Sequence, residues 1–241
     1  MKMKLGVVIS MYDEHDMVLS SMQEIKRKFP DVVFSVVQSD DGAEERDALR
    51  SIRKEATHYE RLPDLSKQYS QHEFPARCIC RNFAAGFKNI YADDFDLIIA
   101  FVGDTYVIDA ESFRRRYDDM KKNGWIAMVS KLINANMHQE GAGGELIPFS
   151  RTVISGDVDF TCSLFMVDGK FAKDSQLFTN IKILNKYCSE LCLGKELQDK
   201  LTKPWDDVVG ILNENKGAYD YNDGIVYHAL HSGPAARWEK P

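Results

Sequence analysis

Asp96-Leu97-Ile98-Ile99-Ala100-Phe101-Val102-Gly103-Asp104-Thr105 is the stretch on which the reading of this chain turns. Six apolar residues, Leu97 to Val102, run without polar alternation and stop at Gly-Asp. A strand wet on one face alternates. A continuous apolar run predicts a strand covered on both faces, as in a parallel sheet between helical layers. Asp104 then falls just past the carboxyl end of that strand, the edge where open α/β sheets bind ligands. A carboxylate there, beside a glycine that lets a ligand approach the backbone, is a candidate metal or phosphate-proximal ligand. Gly and Asp are also common at strand ends for purely local reasons. The position alone leaves both readings open.

Upstream, Leu5-Gly6-Val7-Val8-Ile9-Ser10 reads as a buried strand. Val18, Met22, Ile25 and Phe29 recur at helical spacing, so an amphipathic helix is expected to end near Pro30. Val32 to Val37 predicts a second strand, closed by Ser39-Asp40-Asp41-Gly42, and Glu44 and Glu45 open a helix expected to run through Ile52. This β-α-β-α order predicts a parallel sheet with right-handed crossovers. The first turn, Ser10-Met11-Tyr12-Asp13-Glu14, carries no Gly-x-Gly-x-x-Gly, and the chain has no Gly-Lys-Ser/Thr loop. A dinucleotide site of the usual Rossmann kind is therefore not expected. Any nucleotide phosphates would fall to side chains, with or without a metal. Residues 57–75 read as a long surface loop. A helix is expected from Ala76 to Tyr91, with Cys80, Phe83, Ala84, Phe87, Ile90 and Tyr91 on its buried face and Arg77 and Arg81 sharing another.

Downstream, Asp109 to Asn123 predicts a helix carrying Arg114-Arg115-Arg116, which on an acidic chain reads as a solvated face. Trp125 to Val129 and Ser163 to Val167 read as strands. Between them, residues 134–160 give few regular signals, and long irregular stretches tend to be functional loops. They include Gly141-Ala142-Gly143-Gly144 and the Asp157-x-Asp159 pair, whose spacing suits a metal but whose simpler reading is a solvated loop. Helices are expected over 175–192, 195–202 and 205–215, the last opened by Trp205-Asp206-Asp207-Val208 and ended by Gly217. Acidic residues in a first turn suit the helix dipole. Ile225 to His228 is a short final strand, with His231 after it.

With 241 residues, 44% of them hydrophobic, and a net charge of -6, the chain suffices for the core of one α/β domain over 1–241. The acidic balance argues against nucleic acid as a partner. No apolar run spans a bilayer, and Leu5 to Ile9 is too short for a signal-peptide core. A cytoplasmic location is expected, with peripheral membrane contact through the Arg114 cluster left open. The five cysteines, an odd number, suit a reducing compartment. Cys78-Ile79-Cys80 and Cys188…Cys192 lack zinc-site spacing and read as small core residues.

Several fragments together resemble the family 2 glycosyltransferases. Val7-Val8-Ile9-Ser10-Met11-Tyr12-Asp13-Glu14 looks like the family's opening strand and its Pro-x-Tyr-Asn-Glu turn. Asp40-Asp41-Gly42 matches its Asp-Asp-Gly-Ser turn, with Ala43 replacing Ser, and Arg81-Asn82 with Gly86 looks like its Arg-Asn-x-x-Gly helix. Val102-Gly103-Asp104 falls where the family has its Asp-x-Asp metal motif, with the first aspartate replaced by valine. Trp205-Asp206-Asp207-Val208 resembles the Glu-Asp pair that supplies the catalytic base, and Gly217 and His228 follow at similar spacing.

The resemblance implies a GT-A-type, Rossmann-like α/β/α sandwich with a mostly parallel central sheet. It implies transfer of a sugar from a nucleotide-diphospho-sugar donor to a glycan or other hydroxyl-bearing acceptor, with inversion and with Mn²⁺ or Mg²⁺. Asp104 and His228 would hold the metal, and Asp207, with Asp206 as its rival, would be the base. Tyr12 would stack on the nucleotide base, Asp40 would hydrogen-bond it, and Arg81 would approach the diphosphate or base. Ser10, Glu14 and Gly103 complete the expected donor site. Two alternatives stand beside this. A sugar nucleotidyltransferase ordinarily has a Gly-rich, Lys/Arg-containing loop after its first strand, which Ser10 to Asp16 lacks. An inactive sugar-nucleotide-binding domain would account for Val102.

Overall fold

The structure, a computed structural model, describes residues 3–40, 46–70, 73–132, 136–140, 146–150, 160–184, 189–215, 221–222 and 226–228. The chain runs β1 (Leu5–Met11), α1 (His15–Lys28), β2 (Val33–Ser39), α2 (Asp47–Glu55), β3 (His58–Leu62) and α3 (Phe74–Ile90). It continues through β4 (Leu97–Val102), β5 (Thr105–Val107), α4 (Ser112–Asn123), β6 (Ala127–Leu132), β7 (Asn136–Glu140) and β8 (Leu146–Ser150). Then follow β9 (Thr161–Asp168), α5 (Gly169–Asp174), α6 (Ser189–Lys200), α7 (Trp205–Val208), β10 (Val209–Asn215), β11 (Tyr221–Asn222) and β12 (Val226–His228).

The central sheet has seven strands in the order β10-β6-β9-β4-β1-β2-β3. Only β9 runs against its neighbours, pairing antiparallel with β4 and β6. The other contacts, β10 with β6, β4 with β1, β1 with β2 and β2 with β3, are parallel. The expected sandwich with a mostly parallel sheet is what forms.

β4 lies inside this sheet with all six residues buried. Its apolar run has a direct cause. Ile99 and Phe101 pack into one core with Val18, Met22 and Ile25 of α1 and Leu49 and Ile52 of α2. Ile98, Ala100 and Val102 pack into a second core with Phe83 and Phe87 of α3 and Leu193 and Leu197 of α6. Both faces are covered, so neither can be polar. The second core is aromatic: Phe165 of β9 stands with its ring centroid 5.5 Å from Phe83 and 5.3 Å from Phe178.

Four expectations need correction. The loop read over 57–75 contains β3, which pairs with β2 from Ser35↔His58 to Ser39↔Leu62. No helix forms over 175–184. The chain turns there, with Gln176 and Phe178 at φ 52° and 60°, and Leu177 and Phe178 plug the aromatic core. The breaks expected around Leu193 are absent, and α6 runs unbroken from Ser189 to Lys200. The helix expected over 205–215 stops at Val208. Val209-Gly210-Ile211 instead pairs with β6, at Ala127, Met128 and Val129. Gly210 is needed there, because a Cβ on it would lie 2.3 Å from the Trp125 ring.

Candidate functional site

β1, β2 and β4 end together, at Met11, Ser39 and Val102. Ser10, Tyr12, Glu14, Asp40, Gly103 and Asp104 therefore share the carboxyl edge of the sheet. The Gly103 N–H donates to the Ser10 carbonyl at 2.8 Å. Glu14 folds back, its Oε2 accepting from the Tyr12 N–H at 2.9 Å. It lies over Gly103, where a Cβ would sit 2.6 Å from Glu14 Oε2. The space that glycine leaves, expected to admit a ligand, is taken by this carboxylate.

α3 closes the edge from beside it. Asn82 is 1% exposed and spans two strand ends. Its Nδ2 donates to Ser10 Oγ at 3.3 Å and to the Met11 carbonyl at 3.5 Å, while Ser39 Oγ donates to its Oδ1 at 3.2 Å. Arg81 donates through NH2 to Ser39 Oγ at 3.1 Å and through NH1 to the Pro63 carbonyl at 2.8 Å. Burial lowers the Arg81 pKa, opposed by Cys78, Asp64 and Glu60, and a guanidinium stays charged regardless. Both terminal nitrogens of Arg81 thus have contacts within the chain and tie the β2 end to the segment after β3.

At the end of β2, the Asp40 N–H donates to the Leu62 carbonyl at 2.8 Å. Its carboxylate accepts from Arg61 NH2. The Tyr12 ring faces Phe74, centroids 6.0 Å apart and tilted by 49°. Beneath it, Gln38 Nε2 donates to the Tyr12 carbonyl at 3.3 Å, and the Tyr59 hydroxyl donates to Gln38 Oε1.

Asp104 belongs to the two-residue turn joining β4 to β5. β12 pairs antiparallel with β5, and His228 stands opposite Thr105. The backbone therefore brings the two expected metal residues to one place. Val102 is buried against α3 and α6 and contributes no donor. Among the described residues no group of three His, Cys, Asp or Glu is poised around a metal. One carboxylate with substrate phosphates and waters is nevertheless a common way to hold Mg²⁺, and the oxygen donor of Asp104 suits that mode.

Asp206 and Asp207 are not brought to this edge. They are exposed on α7, and the Asp207 N–H donates to the Pro204 carbonyl at 3.1 Å. Val209 pairs with Ala127, Ala127 with Val167, and Val167 with Ile98. α7 thus sits at the amino end of the parallel strands. Ile98 is six residues, roughly 20 Å of extended chain, from Asp104. An acid given no role in the sequence reading, Glu190, starts nearer the carboxyl edge. Ser189 begins α6 with its Oγ 3.7 Å from Cys162 Sγ. Cys162 lies two residues from Leu164, the partner of Phe101, so α6 starts level with the Gly103-Asp104 turn and Glu190 is its second residue. The only sequence signal was a Ser-Glu pair at a helix start.

The basic cluster is ion-paired along its own helix and the residues before it: Arg114 with Glu111, Arg115 with Asp109, and Arg116 with Asp119. Cys78, Cys80, Cys162 and Cys192 are buried thiols outside any disulfide, packed as core residues. No helix among the described residues is long and apolar enough to cross a membrane. Asp41, Gly42, Gly141 to Gly144, Asp157, Asp159, Gly217 and His231 lie outside the described residues.

A Rossmann-like α/β/α sandwich with polar side chains gathered at the carboxyl ends of its parallel strands is a ligand-binding class of fold. Solved structures of this fold include Staphylococcus aureus TarS, with a TM-score of 0.53 at 14% identity, over 95% of this chain and 37% of TarS. TarS 1–349 matches with a TM-score of 0.54 at 13% identity, over 95% of this chain and 60% of that one. TarS 1–349 in complex with UDP gives 0.53 at 14% identity over the same shares. The chain thus spans less than two thirds of the length of each. No protein-family model and no curated protein sequence matches it.

Proposed function

We propose that this chain is a glycosyltransferase domain that takes a nucleotide-diphospho-sugar donor at the carboxyl edge of its sheet and transfers the sugar, with inversion, to a hydroxyl acceptor. The observation that carries the reading is the convergence there of Tyr12, Glu14, Asp40 and Asp104, with His228 in register beside them. The fold's likeness to a structure solved with UDP supports a uridine nucleotide as the first donor to test.

In this reading Tyr12 and Phe74 form an aromatic wall for the base, and Asp40 accepts from its ring N–H. Asp104 and His228 hold Mn²⁺ or Mg²⁺ with the donor's diphosphate. When bound, that ion offsets the charge developing on the leaving diphosphate. Arg81 holds the strand ends in place instead of reaching the phosphates. A base must take the acceptor's proton, and a carboxylate in reach of the hydroxyl is the usual means. Asp207 and Asp206 lie at the opposite edge, and the base proposed in their place is Glu190, the second residue of α6.

The test is turnover of a panel of UDP- and GDP-sugars with and without Mn²⁺, followed by release of the nucleoside diphosphate. Metal-dependent release is expected, and its absence for every donor refutes the catalytic reading. The burial of Val102 favours a second reading, a domain that binds the sugar nucleotide without turning it over. Calorimetric binding of a donor with no release of diphosphate selects that one.

A further inference from the structure

We propose that Ser21, in the middle of α1, is a positioning residue that holds the Asp104 turn in register; the inference rests on the reading that Asp104 binds a divalent ion together with the donor's diphosphate. Ser21 is 0% exposed and falls on the apolar stripe of α1, with Val18, Met22 and Ile25. A helical serine commonly bonds back to its own preceding turn. This one uses its hydroxyl on a strand. Its O–H donates to the Thr105 carbonyl at 3.2 Å, and its oxygen accepts from the Val107 N–H at 3.0 Å.

β5 is only three residues long, and one of its edges is taken by β12. Ser21 does on the other side what a neighbouring strand would do: it satisfies one carbonyl and one N–H of a buried backbone. The Thr105 Oγ1, donating to the Ser163 carbonyl at 2.8 Å, fixes β5 to β9 as well. Thr105 is the residue after Asp104 and the register partner of His228. A shift of Thr105 therefore moves both expected metal residues at once. Partners one layer behind a metal site commonly set affinity by about tenfold to a hundredfold.

The test titrates Mn²⁺ in the presence of UDP, reading bound Mn²⁺ by electron paramagnetic resonance, together with the melting temperature of each variant. Ser21→Ala is expected to weaken Mn²⁺ binding about tenfold or more. Ser21→Cys, which keeps the volume and weakens both hydrogen bonds, should fall between, and it carries the test if Ser21→Ala does not fold. Ile52→Ala truncates the core under α2, so it should lower the melting temperature and leave Mn²⁺ affinity unchanged. A folded serine variant with wild-type affinity overturns the inference while leaving the metal site standing, as does an equal loss in Ile52→Ala. A wild-type protein that binds no Mn²⁺ with UDP overturns the metal site and this inference together.

Discussion

The two edges of the central sheet are closed in different ways. At the amino edge most of the closing bonds run from backbone to backbone, beside the Lys4 N–H donating to the Asp96 carboxylate at 2.7 Å and the Phe171 N–H to Asp168 Oδ1 at 2.9 Å. Ile126 N–H donates to the Val208 carbonyl at 2.8 Å, Asp168 N–H to Ile126 at 2.8 Å, Gly169 N–H to Asp96 at 3.1 Å, and Asp96 N–H to Lys4 at 3.0 Å. At the carboxyl edge the backbone pairs Gly103 with Ser10 and Asp40 with Leu62 are joined by a larger set of side-chain bonds: Glu14 on Tyr12, Asn82 on Met11, Gln38 on Tyr12 and Ser21 on Val107. Buried backbone groups must be paired by one means or the other. An edge closed by side chains can be varied residue by residue without undoing the ladder, and it is the edge that carries the candidate chemistry. The same acidic residue type therefore has a different meaning at each edge.

The sharpest test of this contrast sets Glu190 against Asp207. Removing a general base costs about 10²–10⁴ in rate, roughly 3–5 kcal/mol of barrier. Glu190→Gln is expected to lose that much of kcat while donor binding persists, and Asp207→Asn and Asp206→Asn should stay within twofold of wild type. Steady-state kinetics on the active donor measures all three. The reverse result would place the base at the amino edge and break the comparison.

A smaller effect separates the glycines of the two edges. At the amino edge a Cβ on Gly169 would meet the Phe95 carbonyl oxygen at 2.1 Å. Backbone cannot step aside as a side chain can. Gly169→Ala is expected to cost about 3 kcal/mol, lowering the melting temperature by about 6–12 °C at the 2–4 °C per kcal/mol of a chain this size. Gly103→Ala meets the Glu14 side chain, most closely its carboxylate oxygen at 2.6 Å, which can swing away, and less closely its Cβ at 3.3 Å. It should cost less than about 1 kcal/mol and instead weaken UDP binding, because it displaces Glu14 from Tyr12. Thermal melts and calorimetry on both variants distinguish the cases.

Sequence patterns carried the fold where burial is symmetrical and failed where it is not. The run Leu97 to Val102 announces a strand between two layers because no side chain on it may be polar. β3, with His58, Glu60 and Arg61 in its five residues, has no such signature. It becomes a strand because β2 offers it an edge. α7 and β10 went astray for a related reason. Asp206-Asp207 looks like a helix start and is one, but Val209 to Leu212 is decided by pairing with β6, which no local pattern reports. The placement of the candidate residues was legible where motif and strand end coincide, as at Tyr12, Asp40 and Asp104. It was illegible at Ser21, a polar residue on an apolar stripe whose partner is 84 residues away, and at Glu190, whose relevance depends on where α6 begins.

Asn82 tests the carboxyl edge on its own terms. Asn82→Ala leaves Ser10 Oγ, Ser39 Oγ and the Met11 carbonyl to find other partners in a buried setting. Unmet buried groups cost about 1–3 kcal/mol. A loss within that range is expected by urea denaturation, together with weaker UDP binding as the β1 and β2 ends part. A stable Asn82→Ala variant with unchanged UDP affinity would show that the strand ends are held by the sheet alone.

The smallest effect belongs to the surface of α4. Arg115 is 65% exposed and its partner Asp109 36%, and pairs this open to water contribute about 0–1 kcal/mol. Arg115→Ala should move stability by no more than that. The variant also bears on membrane contact. A patch that binds acidic lipid headgroups gains about 1 kcal/mol per free cation, and replacing all three arginines of the cluster would then release the protein from phosphatidylserine vesicles. Glu111, Asp109 and Asp119 already face Arg114, Arg115 and Arg116, so their charge is compensated before any lipid arrives. Vesicle sedimentation is therefore expected to show equal, weak binding for wild type and the triple variant at 0.1 M salt. Strong binding lost on the triple substitution would add α4 as a third functional region, set apart from both edges of the sheet.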